Sequence, residues 1–339
     1  MSGNVNRCDI FCLVIDNLGD AGVCWRLARQ LAVEYGWQVR LFIDDPAPLA
    51  LLAPGQRTVE VHRWTGDFVA VKPADVVIEA FACNLPPAYL QAMADRGKPP
   101  VWINLDYLSA EDWVASCHGL PSPQRGMEKF FFFPGFVAGT GGLLREQNYA
   151  VPPAPTFSSP LEISLFCYDN PRLPELLEAW RNGDRPIVCH VCEGLPRHQV
   201  EAWLDTALPA QRGNLRLEAL PFLPQTEYDA LLGRCHLNFV RGEDSFVRAQ
   251  WAERPFVWQI YPQADAAHFT KLDAFLNHYT NEPAVRHFFN AWNGDGAIDW
   301  PAFAAVLPTL VAQAPDWAVK IQAHGDLAGN LVRFCLERL

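Results

Sequence analysis

Two aspartates stand four residues apart where the first apolar segment of the chain ends. Residues 8–15 read CDIFCLVI and predict a buried strand, and Asp16 and Asp20 follow it, ahead of a helical pattern over 23–35. Carboxylates in such a turn can take a proton as a general base or hold a cationic group. Asp20 can equally be the N-cap of the helix, since Asp is a preferred capping residue, and position alone favours neither interpretation.

The glycines of the same turn form the pattern D-N-x-G-D-x-G, which lacks the G-x-G-x-x-G spacing of a dinucleotide loop. This difference argues against a nicotinamide site. Gly19 and Gly22 would still let a sugar or a phosphate approach the backbone closely.

A second polar turn, RGEDS, follows the apolar segment 236–240. Ser245 would stand at the N-terminus of the next helix, where free N–H groups favour a phosphate, and Arg241 would add a bidentate cationic fork. Glu243 and Asp244 would repel a diphosphate, so they would accept hydrogen bonds from sugar or ribose hydroxyls, or Asp244 would cap the helix. A capping turn with a solvated salt bridge is the alternative interpretation.

Two further segments offer groups for a nucleotide base. The sequence FCYDN places Phe166 and Tyr168 at the end of a predicted strand, where they could stack on a base or belong to the core. In PFLPQTEYDALL, Gln225 could bond to a pyrimidine edge and Tyr228 could cover its face. A helix cap and a surface aromatic are equally compatible with that pattern.

The sequence Cys189-His190-Val191-Cys192 resembles a metal or redox motif. It lies inside a strand pattern, where its two cysteines would point to opposite faces, and no second cysteine pair stands at zinc-finger spacing. We therefore expect no metal there.

The elements that must position these residues alternate between short apolar runs and helical patterns, which predicts an α/β protein with parallel sheets. Such sheets bind ligands at the carboxyl ends of their strands, and two doubly wound domains would face each other across a cleft. The predicted strands are 8–15, 37–43, 59–61, 75–80, 101–105 and 130–133 in the first half, and 162–168, 187–191, 215–220, 236–240 and 256–260 in the second.

The domain boundary is predicted in the glycine- and proline-rich segment 139–160. We expect a first domain over 1–150, which would bind the acceptor, and a second over 151–315, which would bind a nucleotide sugar. A helix over 316–339 would then pack back on the first domain.

Length, charge and cysteine content exclude several classes of protein. A net charge of −11 over 339 residues argues against nucleic-acid binding, which needs clustered Lys and Arg. Neither a signal segment nor an apolar stretch of bilayer-spanning length is apparent, so we expect a cytoplasmic protein without a membrane partner. The ten scattered cysteines are then reduced thiols.

Taken together and in order, four strings resemble one family over nearly the whole chain, the bacterial protein-arginine rhamnosyltransferases of elongation factor P. The strings are IDNLGDAGVCWRLARQL, INLDYLSAEDWVASCHGLPSPQ, FFFPGF and FVRGEDSFVRAQWAERPFVWQIYPQ. The resemblance implies a GT-B architecture and inverting transfer of rhamnose from dTDP-β-L-rhamnose to an arginine nitrogen of elongation factor P, in the setting of translation. It implies neither a cofactor nor a metal.

The resemblance also implies roles for the residues above. Asp20 would be the general base and Asp16 would hold the acceptor arginine. We expect Tyr107 and Glu111 to face the acceptor, because they lie just past a predicted strand of the first domain. The residues expected to bind the diphosphate, the sugar or the thymidine of the donor are Asn17, Gly19, Phe166, Tyr168, Gln225, Tyr228, Arg241, Glu243, Asp244 and Ser245.

Two alternatives remain open on the sequence. The chain could be a glycosyltransferase with a small-molecule or lipid acceptor. It could also be a regulatory module that binds a nucleotide sugar without turnover, in which the acids serve only as caps and hydrogen-bond partners.

Overall fold

The computed structural model describes residues 6–66, 68–69, 71–153, 155–156, 160–263 and 267–339, with the side chain of Asn17 excepted. It is an α/β protein that divides into two compact units. One comprises residues 1–149 and 321–339, and the other comprises residues 150–320.

The first unit is built on a seven-stranded sheet in the order β3-β2-β1-β4-β5-β7-β6. All neighbouring strands are parallel except β6 and β7. The order starts at β1 and grows in both directions, so β1 and β4 flank the switch point at which such sheets bind ligands. The strands are β1 (Arg7–Cys12), β2 (Gln38–Ile43), β3 (Glu60–Arg63), β4 (Val76–Ala80), β5 (Val101–Leu105), β6 (Pro121–Gln124) and β7 (Met127–Phe132).

The central strands of this sheet are almost wholly buried, as expected for strands with helices around them. Asp9 of β1 is a buried carboxylate in this sheet, and it accepts two hydrogen bonds of 2.7 Å from Arg40 and one from the Tyr89 hydroxyl. Arg40 and Tyr89 thus supply the hydrogen bonds without which burying this carboxylate would be costly. The helices of this unit are α1 (Asn17–Tyr35), α2 (Ala47–Leu52), α3 (Pro87–Ala94), α4 (Trp113–Cys117) and α12 (Leu327–Leu336).

The β6–β7 hairpin was not predicted beyond part of β7. Arg125 and Gly126 link the two strands with φ angles of 49° and 76°, the conformation that a two-residue hairpin turn requires. Two prolines lie in β6, and its edge position tolerates them because an edge strand leaves one side unpaired.

The terminal segment 316–339 is two helices, so the prediction of a single helix was wrong. Helix α11 (Trp300–Gln322) ends before Gly325, which takes a left-handed φ of 79°. The side chain of Asp326 then caps α12 by accepting a hydrogen bond of 2.9 Å from the Gly329 N–H. Helix α12 belongs to the first unit and packs on α1, as predicted for the end of the chain.

The predicted linker 139–160 is packed over its first part. Leu143 and Leu144 are buried, and the Leu143 carbonyl accepts a hydrogen bond of 3.0 Å from the Leu327 N–H. At Gly142, which has a φ of 73°, an added Cβ would lie 2.4 Å from the Gly325 carbonyl oxygen. The lack of a side chain at Gly142 therefore lets this segment pack closely against the backbone of Gly325. Residues 154 and 157–159 of this segment lie outside the described residues.

The second unit has a six-stranded sheet in the order β10-β11-β9-β8-β12-β13, parallel except for β10. Its switch point lies between β8 and β12. The strands are β8 (Leu161–Leu165), β9 (Ile187–Val191), β10 (Ala210–Arg212), β11 (Leu215–Ala219), β12 (Leu237–Arg241) and β13 (Phe256–Gln259). The helices are α5 (Leu173–Asn182), α6 (Leu195–Leu204), α7 (Gln225–Arg234), α8 (Asp244–Trp251), α9 (Ala267–Tyr279), α10 (Pro283–Trp292) and most of α11.

Helices α7 and α8, which flank β12, are joined by a buried ion pair. Arg248 of α8 donates hydrogen bonds of 3.1 and 2.8 Å to the two carboxylate oxygens of Asp229 in α7. Arg248 is 1% exposed, so the pair holds the two helices in one register beside the end of β12.

Helix α11 is, by length and composition, apolar enough to cross a membrane, so the expectation that no segment approaches that length was wrong. The finding is weak grounds for a membrane span, because core helices pass the same test. Leu307, Leu310 and Trp317 are buried, and the Trp317 indole donates a hydrogen bond of 2.8 Å to Gln250 within the second unit.

Candidate active site

The first polar turn is the start of helix α1. The helix begins at Asn17, six residues before the predicted start, and its N-cap position is Asp16. Asp20 therefore lies inside the first turn, and the alternative that it caps a helix beginning near Gly22 was wrong. Its carboxylate reaches back instead, and Oδ2 accepts hydrogen bonds of 2.8 Å from the N–H groups of both Ile15 and Asp16.

Asp20 is a buried carboxylate, with 3% of its surface exposed. Burial raises its pKa above the ordinary value, and the nearby charge of Asp16 adds to that increase. The two backbone N–H groups and a hydrogen bond from the Tyr107 side chain oppose it. A carboxylate with a raised pKa is a stronger base than an exposed one, which suits a proton acceptor.

Asp16 and Gly19 form one tight arrangement at the helix start. The Gly19 N–H donates a hydrogen bond of 2.6 Å to the Asp16 carbonyl. A Cβ added at Gly19 would lie 2.6 Å from Asp16 Oδ2, so the absence of a side chain at Gly19 lets the Asp16 carboxylate fold over the turn. The space beside Gly19 is thus occupied by Asp16, and its expected contact with the donor stays a prediction. The side chain of Asn17 lies outside the described residues.

Tyr107, which follows β5, lies near Asp20, and its side chain lowers the pKa of that carboxyl. Its ring stacks on that of Phe81 with centroids 4.4 Å apart. Glu111 lies farther along the same loop, where its carboxylate accepts a hydrogen bond of 3.0 Å from the Ser109 hydroxyl. That both residues face an acceptor stays a prediction.

The second polar turn joins β12 to α8 at the switch point of the second sheet. Glu243 occupies the N-cap position without a side-chain cap bond, so Asp244 is the first helical residue and not the cap. The Ser245 hydroxyl donates to the Arg241 carbonyl and accepts from the Arg241 N–H at 3.0 Å. The serine therefore ties the turn to its own strand.

Arg241 lies against two aromatic rings from the neighbouring strand end. Its guanidinium carbon is 4.4 Å from the ring centroid of Phe166 and 4.4 Å from that of Tyr168, both of which follow β8. Contact with aromatic rings orients the planar guanidinium, and the N–H groups around its edge remain available as donors. The structure thus brings together three residues that the sequence assigned separately to the diphosphate and the base.

Gln225 and Tyr228 approach the same turn from α7. The Gln225 amide donates a hydrogen bond of 3.2 Å to Asp244 Oδ2. Tyr228 packs edge-on against Phe166 at 5.6 Å and belongs to an apolar cluster with Cys192 and Leu231, so the interpretation as a surface aromatic was wrong.

Sequence reasoning missed two aromatic residues beside these sites. Phe81 stacks on Tyr107, and Tyr261, which is 44% exposed, packs edge-on against Tyr168 at 5.4 Å. Both follow the carboxyl ends of predicted strands, which was the available signal. Cys189 and Cys192 are buried free thiols, and in the described part of the chain no three metal-ligating side chains are grouped as a metal site would require.

Solved structures place the fold among known enzymes. The glycosyltransferase of kitacinnamycin matches with a TM-score of 0.54 at 12% identity, over 98% of this chain and 99% of that one. A structure described as the basis for EarP-mediated arginine glycosylation of translation elongation factor EF-P matches with a TM-score of 0.69 at 33% identity, over 98% and 100%.

Curated relatives cover nearly the same length. A protein-arginine rhamnosyltransferase of Pseudomonas aeruginosa is 45% identical over 98% of this chain and 99% of its own. One of Neisseria meningitidis is 38% identical over 83% and 81%. The family model described as "Elongation-Factor P (EF-P) rhamnosyltransferase EarP" matches residues 8–153 and 154–336.

Two doubly wound units in one chain, each with polar residues at the switch point of its sheet, define a glycosyltransferase of the GT-B type. The chain is thus an enzyme. Because the family model and the relatives cover almost its whole length, it belongs to the EarP family of rhamnosyltransferases.

At neutral pH the Asp20→Asn protein should be as stable as wild type or more stable by up to about 2 kcal/mol. The raised pKa means that Asp20 contributes stability below its ordinary value of 3.8 and loses that contribution as pH rises through the folded-state pKa. The gain over wild type should therefore grow with pH above about 4. Urea denaturation at several pH values measures it.

The exposed Asp184→Asn substitution is the matched control and should show no such pH-dependent gain. A large loss of stability in the Asp20→Asn protein at neutral pH would show that the ionised carboxylate stabilises the turn, contrary to this description.

Proposed function

We propose that the chain transfers L-rhamnose from dTDP-β-L-rhamnose to a side-chain nitrogen of one arginine of elongation factor P, with inversion at the anomeric carbon. Membership in the EarP family supports the sugar, the arginine and the protein substrate. The structural observation that carries the proposal is the buried Asp20 carboxylate, held by two backbone N–H groups beside a second carboxylate, Asp16.

A pair of acids suits an arginine acceptor because the guanidinium is a cation and a poor nucleophile, with a pKa above about 12. Bulk deprotonation at neutral pH is therefore too rare to support turnover. Asp16 and Asp20 would grip the guanidinium through charge-assisted hydrogen bonds, and Asp20 would accept the proton as the new C–N bond forms. The raised pKa of Asp20 favours that acceptance.

On the donor side, the second unit offers a cation and a helix N-terminus at one strand end. Arg241 and the backbone N–H groups at the N-terminus of α8 would offset the charge that develops on the leaving dTDP. Glu243 and Asp244 would accept hydrogen bonds from hydroxyls of the sugar. The aromatic rings of Phe166 and Tyr168, already against Arg241, would lie beside the thymidine.

Inversion follows if the arginine nitrogen attacks the anomeric carbon opposite the departing diphosphate in a single displacement. Protein groups alone would supply the charge stabilisation, so we propose turnover without a metal or a cofactor. We also propose that the enzyme acts in the cytoplasm, where elongation factor P serves translation, without nucleic-acid or membrane partners.

Incubating the purified enzyme with dTDP-β-L-rhamnose and elongation factor P should add one deoxyhexose to the factor, measured by intact mass. Tandem mass spectrometry should locate the sugar on an arginine, and a factor with that arginine changed to lysine should gain nothing. Donor consumption without a mass gain would indicate a small-molecule or lipid acceptor. Absence of donor consumption with any acceptor would indicate a binding module and contradict the proposal.

Replacing Arg241 by Lys should weaken dTDP binding by roughly 10- to 100-fold, measured by calorimetry. Lysine keeps the charge but loses the bidentate fork and the planar group that lies against Phe166 and Tyr168. The control is Arg234→Lys, an exposed residue on α7. If the Arg241→Lys protein bound dTDP with wild-type affinity, Arg241 would not be part of the donor site.

A further inference from the structure

Tyr168 belongs to a short segment between β8 and α5, over residues 168–170, that is neither strand nor helix. Tyr168 and Asn170 are nevertheless buried. Backbone N–H and C=O groups in such a place need hydrogen-bond partners, because burying them unpaired is costly. The partners here include the side-chain amides of two glutamines, which reach the segment from two different elements.

Gln259, the last residue of β13, holds the segment from one side. Its Oε1 accepts a hydrogen bond of 2.9 Å from the Tyr168 N–H, and its Nε2 donates one of 3.4 Å to the Asp169 carbonyl. Its own carbonyl accepts a hydrogen bond of 3.1 Å from the Gly242 N–H. Gln259 is 5% exposed and therefore connects the segment that carries Tyr168 to the turn that follows Arg241.

Gln199 of α6 holds the same segment from the other side. Its Nε2 donates a hydrogen bond of 3.1 Å to the Tyr168 carbonyl, and its Oε1 accepts one of 2.8 Å from the Asn170 N–H. The Asn170 side chain donates a further bond of 3.0 Å to the Trp292 carbonyl. Both backbone polar groups of Tyr168 are thus bonded to a glutamine, the N–H to Gln259 and the C=O to Gln199.

The ring that this backbone carries lies in the proposed donor site. Its centroid is 4.4 Å from the guanidinium carbon of Arg241, and Arg241 is the register partner of Gln259 between β12 and β13. With the Tyr168 backbone fixed, only rotations of its own side chain can move the ring. The ring therefore stays against the guanidinium before a diphosphate binds, which lowers the cost of ordering the site.

We propose that Gln259 and Gln199 are positioning residues for the donor site. Their side-chain amides fix the Tyr168 backbone, and the Tyr168 ring then orients the Arg241 guanidinium toward the diphosphate of a nucleotide sugar. The inference rests on the proposed role of Arg241 in donor binding. It requires no contact between either glutamine and the donor.

The test is the calorimetric affinity of the enzyme for dTDP. Gln259→Met keeps the length of the side chain but removes both of its hydrogen bonds, so dTDP should bind about 5- to 30-fold more weakly. Gln199→Met should weaken binding by about 2- to 5-fold, because Gln199 is partly exposed and water can replace its bonds. The KM for elongation factor P should stay near wild type in both proteins.

A double-mutant cycle separates positioning through Tyr168 from any other effect of Gln259. In a Tyr168→Leu background the ring is absent, so Gln259→Met should weaken dTDP binding by less than about 2-fold further. An equally large loss in both backgrounds would show that Gln259 does not act through Tyr168, and it would overturn the proposal.

Gln250→Met is the matched control for loss of stability. Gln250 is also a buried glutamine of the second unit, and its side chain bonds to the Trp317 indole and the Phe246 carbonyl. This variant should unfold at a lower urea concentration than wild type, as Gln259→Met should, yet keep wild-type affinity for dTDP. An equal loss of affinity in the two variants would assign the effect to general destabilisation and contradict a positioning role.

If Gln259→Met does not fold, Gln199→Met decides the question, and wild-type affinity in that variant would overturn the proposal. Failure of the proposed function would look different. A wild-type enzyme that bound no dTDP would contradict the donor site itself, whereas unchanged affinity in both glutamine variants would leave that site in place and remove only the positioning role.

Discussion

The proposed chemistry of the first unit depends on keeping a carboxylate out of water at the start of a helix. The burial of Asp20 is offset because the N–H groups of Ile15 and Asp16, at the entry to the helix, both donate to one of its oxygens. The same bonds fix the turn between β1 and α1. The structural demand of the helix and the chemical demand for a base are met by one side chain, with its pKa raised by burial.

In the second unit the corresponding requirement is a cation that is already oriented before the diphosphate binds. Arg241 lies against the rings of Phe166 and Tyr168, while Ser245 ties its backbone to the start of α8. The planar guanidinium therefore has few conformations to lose when a diphosphate binds. Each unit places its reactive group at the switch point of its sheet, so the two halves of the proposed reaction follow from the same topology used twice.

How far sequence could predict this arrangement depended on the range of each interaction. Strands such as β1 and β5 were predicted because a strand that is buried on both faces has a continuous run of apolar residues in its own sequence. The start of α1 was placed too late, since its first turn is polar and is stabilised by Asp20 reaching backward. The stacking of Phe81 on Tyr107 could not be predicted, because it depends on the pairing of β4 with β5, after whose ends the two rings stand. The role of the buried glycines near Gly142 likewise depends on α12.

In the proposed reaction Asp20 takes the proton from the acceptor arginine, and donor binding belongs to the other unit. The most direct measurement compares Asp20→Asn with wild type in two assays: calorimetric affinity for dTDP-β-L-rhamnose and single-turnover transfer to elongation factor P. If Asp20 is the proton acceptor, the donor Kd should stay within about 3-fold of wild type and the rate should fall by about 100-fold or more. Loss of donor binding with a residual rate near wild type would contradict that role of Asp20.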